Sequence, residues 1–139
     1  MDSGISTDHV GLVREDQQVV TRERTAVHIG SGSLGVYATP AMLAFVEATC
    51  RDMLDELLDP SMTSVGTEVR LRHLAPTTEG ETVSVCVEII SIEGILVEFK
   101  AEVWDRVERI GEARHTRAVI DVDRFLSRVS AKTSPDGDR

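Results

Sequence analysis

The second half of the chain alternates between apolar and polar residues, and this alternation predicts four strands. Side chains of a strand point to opposite faces in turn, so a period of two indicates a strand with one buried face. The pattern covers residues 64–74, 82–93, 95–105 and 109–122. Glu93-Gly94 is a tight-turn signal, so the second and third strands are predicted to pair as a hairpin. Strands joined by short connections predict an antiparallel sheet.

Simple alternation assigns two faces to the strand over residues 64–74. One face carries Val65, Thr67, Val69, Leu71 and His73, and the other carries Gly66, Glu68, Arg70 and Arg72. The first face is the more apolar, so it is predicted to point toward the core. His73 is then an imidazole on an inward face, where a histidine is more often a packed core residue than a catalyst.

A helical period predicts one long helix from residue 40 to about residue 58. Thr39-Pro40 is a start signal, because the Thr hydroxyl can cap an unpaired backbone N–H and Pro fits the first helical position. Pro60 marks the end of the helix. The wide apolar stripe of this helix must pack on the sheet, which predicts an α+β fold.

The remaining segments carry weaker patterns. Residues 1–16 are predicted to be frayed or disordered, and residues 17–30 to form a strand, a turn and a short second strand. Residues 30–35 are a loop by composition. Residues 123–132 are predicted to add a short terminal helix, and residues 133–139 to form a disordered tail. One domain is therefore expected over residues 17–132.

Glu47 is the unexpected residue of the long helix. At 100° per residue it lies inside the apolar arc, between Leu54 and Leu58. The other acids of this region form a separate face: Asp52, Asp55, Glu56 and Asp59. The Glu47 carboxylate is therefore predicted to point toward the sheet. Such a group is costly unless it is paired, so it is either a structural residue bonded to a neighbouring strand or a catalytic one.

Two further polar residues have positions suited to chemistry. An inward carboxylate at Glu47 and an inward imidazole at His73, on adjoining elements, form a candidate acid/base pair. Thr39 stands at the helix N-terminus, where free N–H groups and the positive end of the dipole favour an oxyanion. For Thr39 the structural alternative is helix capping alone.

Composition narrows the class of partner. The chain has 139 residues and a net charge of −9, which argues against nucleic acid or an anionic membrane as the main partner. Cys50 and Cys86 lie in apolar patterns and are predicted to be free thiols, and no Cys/His cluster suggests a metal. The N-terminus lacks the apolar run of a signal peptide, and no apolar run reaches membrane-spanning length. These features predict a cytoplasmic protein.

Three blocks of the sequence resemble the fluoroacetyl-CoA thioesterase family. They are "YATPAMLAFVEATC", "SVGTEVRLRHLAPTTEGETV" and "RIGEARHTRAVIDVDRF", and the resemblance runs from about residue 17 to residue 132. It implies a hot-dog fold, in which an antiparallel sheet wraps around one long helix, and a homodimer paired edge to edge. It also implies that Thr39, Glu47 and His73 form the catalytic set for hydrolysis of an acyl-CoA thioester, without a metal or a cofactor other than the CoA of the substrate.

The resemblance further implies substrate-binding residues. Gly66 matches a position whose backbone approaches the thioester, and Arg117 matches an Arg near the acyl pocket. Tyr37 is the only aromatic residue of "HIGSGSLGVYAT", the segment before the helix. This segment is shorter than in the fluoroacetyl-specific enzyme and lacks the Phe residues of its lid. The fluoroacyl substrate is therefore not carried over.

Several alternatives stay open at the level of the sequence. Glu47 can attack the thioester directly or activate water as a general base. The acyl carrier can be CoA or a carrier protein. Rival functions are a non-catalytic acyl-CoA-binding protein, an acyl-thioester hydratase or dehydratase, and a resistance protein for one toxic acyl thioester.

Overall fold

A five-stranded antiparallel sheet with one long helix across its face makes up most of the protein. The structure is a computed structural model, and it describes residues 3–133. The strands are β1 (Val13–Val19), β2 (Met62–His73), β3 (Thr82–Glu93), β4 (Leu96–Trp104) and β5 (Arg109–Asp121). Their order in the sheet is β1-β3-β4-β5-β2. The predicted α+β class and the four predicted strands are confirmed.

The helices are α1 (Ala26–Ile29), α2 (Thr39–Leu57) and α3 (Val122–Thr133). The long helix and the terminal helix therefore match their predictions to within about one residue. The predicted capping role of Thr39 is wrong. Ala38 is the cap residue, with extended backbone, and Thr39 is the first helical residue. No side-chain capping bond is present at this end of α2, because the Thr39 hydroxyl bonds another group, described below.

The core lies between α2 and the inner face of the sheet. The helix contributes Met42, Val46, Cys50 and Leu54, all with no exposed surface. Alternate residues of β3 and β4 face them, namely Val83, Val85, Val87, Ile89, Val97, Phe99, Ala101 and Val103. Full burial of one such large apolar side chain contributes about 1.5–3 kcal/mol. The apolar stripe and the strand alternation thus hold α2 on the sheet.

The β3–β4 hairpin forms as predicted. Glu93 pairs with Leu96, and Gly94 adopts a φ of +61° in the turn between them. A left-handed backbone is open to glycine without the steric cost that a side chain would add. The turn therefore fixes the register of the two central strands.

The N-terminal predictions need correction. Residues 13–16, expected to be frayed, belong to β1, which pairs with β3 from Val13↔Glu88 to Val19↔Thr82. The sequence pattern does not indicate the start of this strand, because the strand is mostly polar. It lies at the edge of the sheet and has no fully buried residue. The predicted second strand is also wrong, since this region forms a 3₁₀ turn at Arg22–Arg24 and α1. Of the predicted C-terminal tail, Thr133 ends α3 and residues 134–139 lie outside the described residues, as do residues 1–2.

The faces of β2 also differ from simple alternation. The register shifts between Gly66, which pairs with Arg117, and Glu68, which pairs with Thr116. Thr67 is the extra residue of this β-bulge. One extra residue reverses the alternation, so residues on either side of a bulge exchange faces.

The bulge turns Gly66 toward α2. A Cβ atom added to this glycine would lie 2.6 Å from Oε2 of Glu47. The prediction that Gly66 shares the outer face with Arg70 and Arg72 is therefore wrong. Downstream of the bulge, His73 keeps its predicted inward position and is half-buried.

Two properties of the surface bear on partners. β2 is an outermost strand, so within residues 3–133 one side of its backbone has no strand partner. In the same part of the chain, no helix combines the length and apolar character needed to cross a bilayer.

Cys50 and Cys86 are free thiols, as predicted.

Gly111 provides a test of the packing under α2. A Cβ added there would collide with Sδ of the buried Met42, so Gly111→Ala should lower the free energy of unfolding by about 1–3 kcal/mol. Denaturant unfolding measures this change. Gly35→Ala is the matched control, because its Cβ would meet no atom within 4 Å. Both changes remove the same backbone freedom from the unfolded chain, so equal stabilities would contradict the packing.

Candidate active site

Thr39 and His73 lie in direct contact. Thr39 begins α2 and His73 ends β2, and Oγ1 of the threonine is 2.8 Å from Nδ1 of the histidine. In the tautomer that carries its proton on Nε2, Nδ1 accepts a hydrogen bond from the Thr39 hydroxyl. Two of the predicted site residues are therefore brought together by the ends of two different elements.

The other nitrogen of His73 has no hydrogen-bond partner among the described residues, and it has almost no exposed surface. Burial lowers the pKa of His73, and a backbone contact with Ala75 opposes this effect. A lowered pKa keeps the ring neutral near pH 7. The Thr39–His73 pair is thus a hydroxyl bonded to a neutral base.

Tyr37 packs against the ring of His73. The two rings meet edge to face, with centroids 6.4 Å apart. The Tyr37 ring is only 1% exposed, and its hydroxyl donates to Oε1 of Gln18 at 2.8 Å. Burial raises the pKa of the Tyr37 phenol above its usual range. Tyr37 therefore contacts the site through the ring of His73.

Glu47 forms a second group, further along α2. Its Oε2 is 3.8 Å from Nη1 of Arg117 and 3.9 Å from Nε2 of His115. The predicted orientation toward the sheet is confirmed by these contacts with β5. The side chain keeps 37% of its surface, so the carboxylate is accessible rather than dry.

Two small cavities flank this carboxylate. One has a volume of about 230 Å³ and lies toward Gly66, Val69 and His115. The other, of about 210 Å³, lies toward Ala44 and Arg117. A small ligand can therefore approach Glu47 from either side.

Arg117 is buried and held by several acceptors. Its Nε donates to Oγ of Ser64 at 2.8 Å, and Nη2 donates to the Ser64 carbonyl at 3.0 Å. Nη1 lies 3.1 Å from Nε2 of His115. Burial lowers the pKa of Arg117 and the Glu47 carboxylate raises it, but an arginine stays charged in a protein. The positive charge beside Glu47 is therefore permanent and fixed in place.

His115 is the member of this group that sequence reasoning left without a role. It is 1% exposed, and its Nδ1 lies 2.8 Å from the carbonyl oxygen of Glu68, beside the bulge. The signal was present in the sequence. His115 and Arg117 lie at every second position between the buried Ala113 and Val119, on the inner face of β5. Polar residues are unusual on such a face.

The Thr39–His73 pair and the Glu47 group are separate within the chain. Glu47 lies eight positions after Thr39 in α2, which corresponds to about 12 Å along the helix axis. Among residues 3–133, no hydrogen bond or ion pair links the Thr39–His73 pair to Glu47. The described part of the chain also contains no cluster of three or more His, Cys, Asp or Glu that could hold a metal ion.

Several known proteins are similar to this chain in sequence and in fold. Residues 20–123 match the family described as fluoroacetyl-CoA-specific thioesterase. The fluoroacetyl-CoA thioesterase of Streptantibioticus cattleyicolor is 36% identical over 98 residues, which cover 70% of each chain. A point mutant of the fluoroacetyl-CoA-specific thioesterase FlK, in complex with fluoroacetate and CoA, is 31% identical, with a TM-score of 0.79 over 84% of this chain and 98% of that one.

A more distant structure shares the fold. The hot-dog-like protein from Thermanaerovibrio acidaminovorans is 23% identical, with a TM-score of 0.84 over 90% of this chain and 93% of that one. The predicted hot-dog fold is therefore confirmed.

The two inward histidines generate a prediction for stability. Burial lowers the pKa of both His73 and His115 in the folded protein, whereas in the unfolded chain they titrate near 6.5. Below about pH 6.5 the unfolded state therefore binds more protons, and the free energy of unfolding should fall as the pH is lowered from 7.5 to 5.5. Denaturant unfolding at the two pH values measures the difference.

Variants locate the source of this pH dependence. His115→Gln should show a smaller difference in unfolding free energy between pH 7.5 and 5.5 than the wild type. His28→Gln, which changes an exposed histidine of α1, should keep the wild-type difference. Carboxylates with lowered pKa values lose their contribution only at lower pH, below about 4.5. An unchanged difference in His115→Gln would mean that folding does not lower the pKa of His115.

Proposed function

The chain belongs to the fluoroacetyl-CoA-specific thioesterase family, and from this premise we propose that it hydrolyses a small acyl-CoA thioester to a free acid and CoA. One structural relative is a complex with fluoroacetate and CoA, which supports a CoA thioester as the substrate. The strongest support from the site itself is the position of Glu47. Its accessible carboxylate faces the side-chain-free surface of Gly66, between two small cavities.

In the proposed reaction Glu47 initiates the addition to the thioester carbonyl. The carboxylate either adds to the carbonyl carbon, which gives an anhydride that water then cleaves, or takes a proton from water that adds instead. Either addition gives a tetrahedral oxyanion, and its collapse breaks the C–S bond and releases CoA thiolate. The guanidinium of Arg117 lies 3.8 Å from the attacking carboxylate, near enough to orient it.

The Thr39–His73 pair is proposed to stabilise the oxyanion and to transfer a proton. The helix N-terminus offers first-turn N–H groups and a positive dipole end. In the tautomer with its proton on Nδ1, His73 donates to Oγ1 of Thr39, which leaves the Thr39 hydroxyl proton as a donor for the oxyanion. His73 holds this hydroxyl at 2.8 Å, and as a neutral base it can exchange a proton with water or the leaving thiolate. No step of this reaction requires a metal or a cofactor beyond the CoA of the substrate.

A homodimer is proposed because one protomer holds the site only in two halves. A reacting carbonyl must lie about 3 Å from both its nucleophile and its oxyanion donors, whereas Thr39 and Glu47 are separated along α2. β2 is an outermost strand with a free edge. Antiparallel pairing with β2 of a second copy would bring the Gly66 end of one strand to the His73 end of the other. Glu47 of one copy would then face Thr39 and His73 of the other.

The acyl group is proposed to be small but not restricted to fluoroacetyl. Residues 28–39, before and at the start of α2, contain no Phe that could form an aromatic lid. Leu34 in this segment is 69% exposed. Acetyl-, fluoroacetyl-, propionyl- and butyryl-CoA therefore form the first substrate panel.

Glu47→Gln tests the reaction directly. Release of free thiol from the panel should fall about 100-fold or more in kcat, because the amide cannot act as nucleophile or base. Glu56→Gln is the matched control. It makes the same change on an exposed face of α2, where the carboxylate pairs only with Arg14, and it should leave kcat unchanged.

Other outcomes would replace the proposal. Tight binding of an acyl-CoA that is never consumed would indicate a binding protein. Conversion of an enoyl-CoA to a hydroxyacyl product without free thiol would indicate a hydratase. A folded Glu47→Gln variant as active as the wild type would leave Glu47 with a structural role.

Paired variants test the homodimer and the division of the site. Thr39→Ala and Glu47→Gln are each expected to be inactive alone. Co-expressed with two different tags and purified through both, they should form a heterodimer with about half of the wild-type activity, because one of its two symmetric sites keeps every residue. Failure to isolate any doubly tagged species would contradict the homodimer.

A second heterodimer serves as the matched control. Thr39→Ala combined with His73→Ala places both changes in the same half of the site, so each site has one defect and no activity should return. Recovery in this control, or none in the first heterodimer, would show that the site is not divided between the copies as proposed.

A further inference from the structure

His115 has a partner on each ring nitrogen, and together the two partners fix its chemical state. A carbonyl oxygen only accepts hydrogen bonds, so Nδ1, at 2.8 Å from the Glu68 carbonyl, must carry a proton. A guanidinium only donates, so Nε2, at 3.1 Å from Nη1 of Arg117, must present a lone pair. Both contacts demand the neutral ring with its proton on Nδ1.

The bond to His115 controls the nitrogen of Arg117 that lies nearest to Glu47. Ser64 anchors Nε and Nη2 of the guanidinium. Nη1 is the atom 3.8 Å from Oε2 of Glu47, which is within ion-pairing range but beyond a hydrogen bond. Nε2 of His115 is the acceptor 3.1 Å from this nitrogen.

We propose that His115 is a positioning residue whose Nε2 lone pair holds Nη1 of Arg117 near Glu47 but out of hydrogen-bond contact with it. The carboxylate oxygen thereby lies beside a fixed cation and is still free to react. Without this acceptor, the guanidinium edge would close on Glu47 as a charge-assisted hydrogen bond and occupy the oxygen that must attack. This inference rests on the thioesterase function proposed above.

The surroundings of His115 support a holding role over a proton-carrying one. The ring is 1% exposed and stacks against Phe99 of β4, with centroids 6.5 Å apart. The charged groups that face it are Arg117 from its own strand and Glu47 from α2, and β2 contributes only the Glu68 carbonyl. Both nitrogens have a partner within the fold, so His115 is suited to hold a neighbour in place.

Two amide variants separate the two bonds of His115. The Gln amide reaches the place of Nε2, so His115→Gln can keep an acceptor for Arg117 while it loses the bond to Glu68. The shorter Asn amide reaches the place of Nδ1, so His115→Asn can keep the bond to Glu68 and leaves Nη1 without an acceptor. Both variants remove the ring that packs on Phe99, which makes each the control for the other.

Kinetics should distinguish the variants. We expect kcat for thiol release to be about 10-fold or more lower in His115→Asn than in His115→Gln, with similar KM values, because only Asn releases Arg117. The acidic limb of the pH–rate profile should move to lower pH in His115→Asn, since closer contact with a cation favours the carboxylate. If the role of His115 were purely structural, kcat would fall equally in both variants and the acidic limb would stay at the same pH. That result would overturn the inference.

A readout independent of activity separates this inference from the proposed function. The carboxyl ¹³C signal of Glu47 should titrate at lower pH in His115→Asn than in His115→Gln, whatever the enzyme does. If the wild type releases no thiol from any thioester, the proposed function fails and the titration still decides the position of Arg117. If the wild type is active and the Glu47 signal titrates identically in the two variants, only the role of His115 fails.

Discussion

A carboxylate on the sheet-facing side of α2 is the constraint on which the site depends. Glu47 interrupts an apolar arc, so the sheet beneath it must supply both room and positive charge. β2 supplies the room at Gly66, where a Cβ would lie 2.6 Å from the carboxylate. β5 supplies the charge at Arg117. Gly66 and Arg117 are register partners, so the bulge at Thr67 that sets this register is itself part of the site.

Local signals predicted most of the fold, and the exceptions have physical causes. The period of α2 and the Glu93-Gly94 turn depend on residues close in sequence, and both were found. β1 was missed because an edge strand with no fully buried residue lacks an apolar alternation. The bulge was missed because one extra residue in a strand leaves no local trace, yet it reverses every face beyond it. The misplacement of Gly66 followed from that reversal.

The sequence indicated candidate residues for the site one by one, but not the network of contacts that the structure shows around them. Thr39, Glu47 and His73 each stood out because a polar group occupied an unusual position. The contacts of Arg117 could not be predicted, since they depend on the hydroxyl and carbonyl of Ser64, whose place opposite β5 is set by strand register. The contact between Thr39 and His73 likewise joins two elements 34 residues apart, and the capping hypothesis had assigned the hydroxyl elsewhere.

The two inward histidines show how partners decide chemistry where burial alone does not. Burial lowers the pKa of both rings, so protonation near pH 7 does not distinguish them. His115 has both nitrogens engaged by groups that require one tautomer, so it cannot accept a proton without breaking its bond to Arg117. The side-chain partner of His73 is the Thr39 hydroxyl, which can donate or accept, and within residues 3–133 its Nε2 has no hydrogen-bond partner. A proton carrier needs this freedom, so the ring at the end of β2 is the one suited to acid/base work, and the ring beside the bulge is suited to hold Arg117 in place.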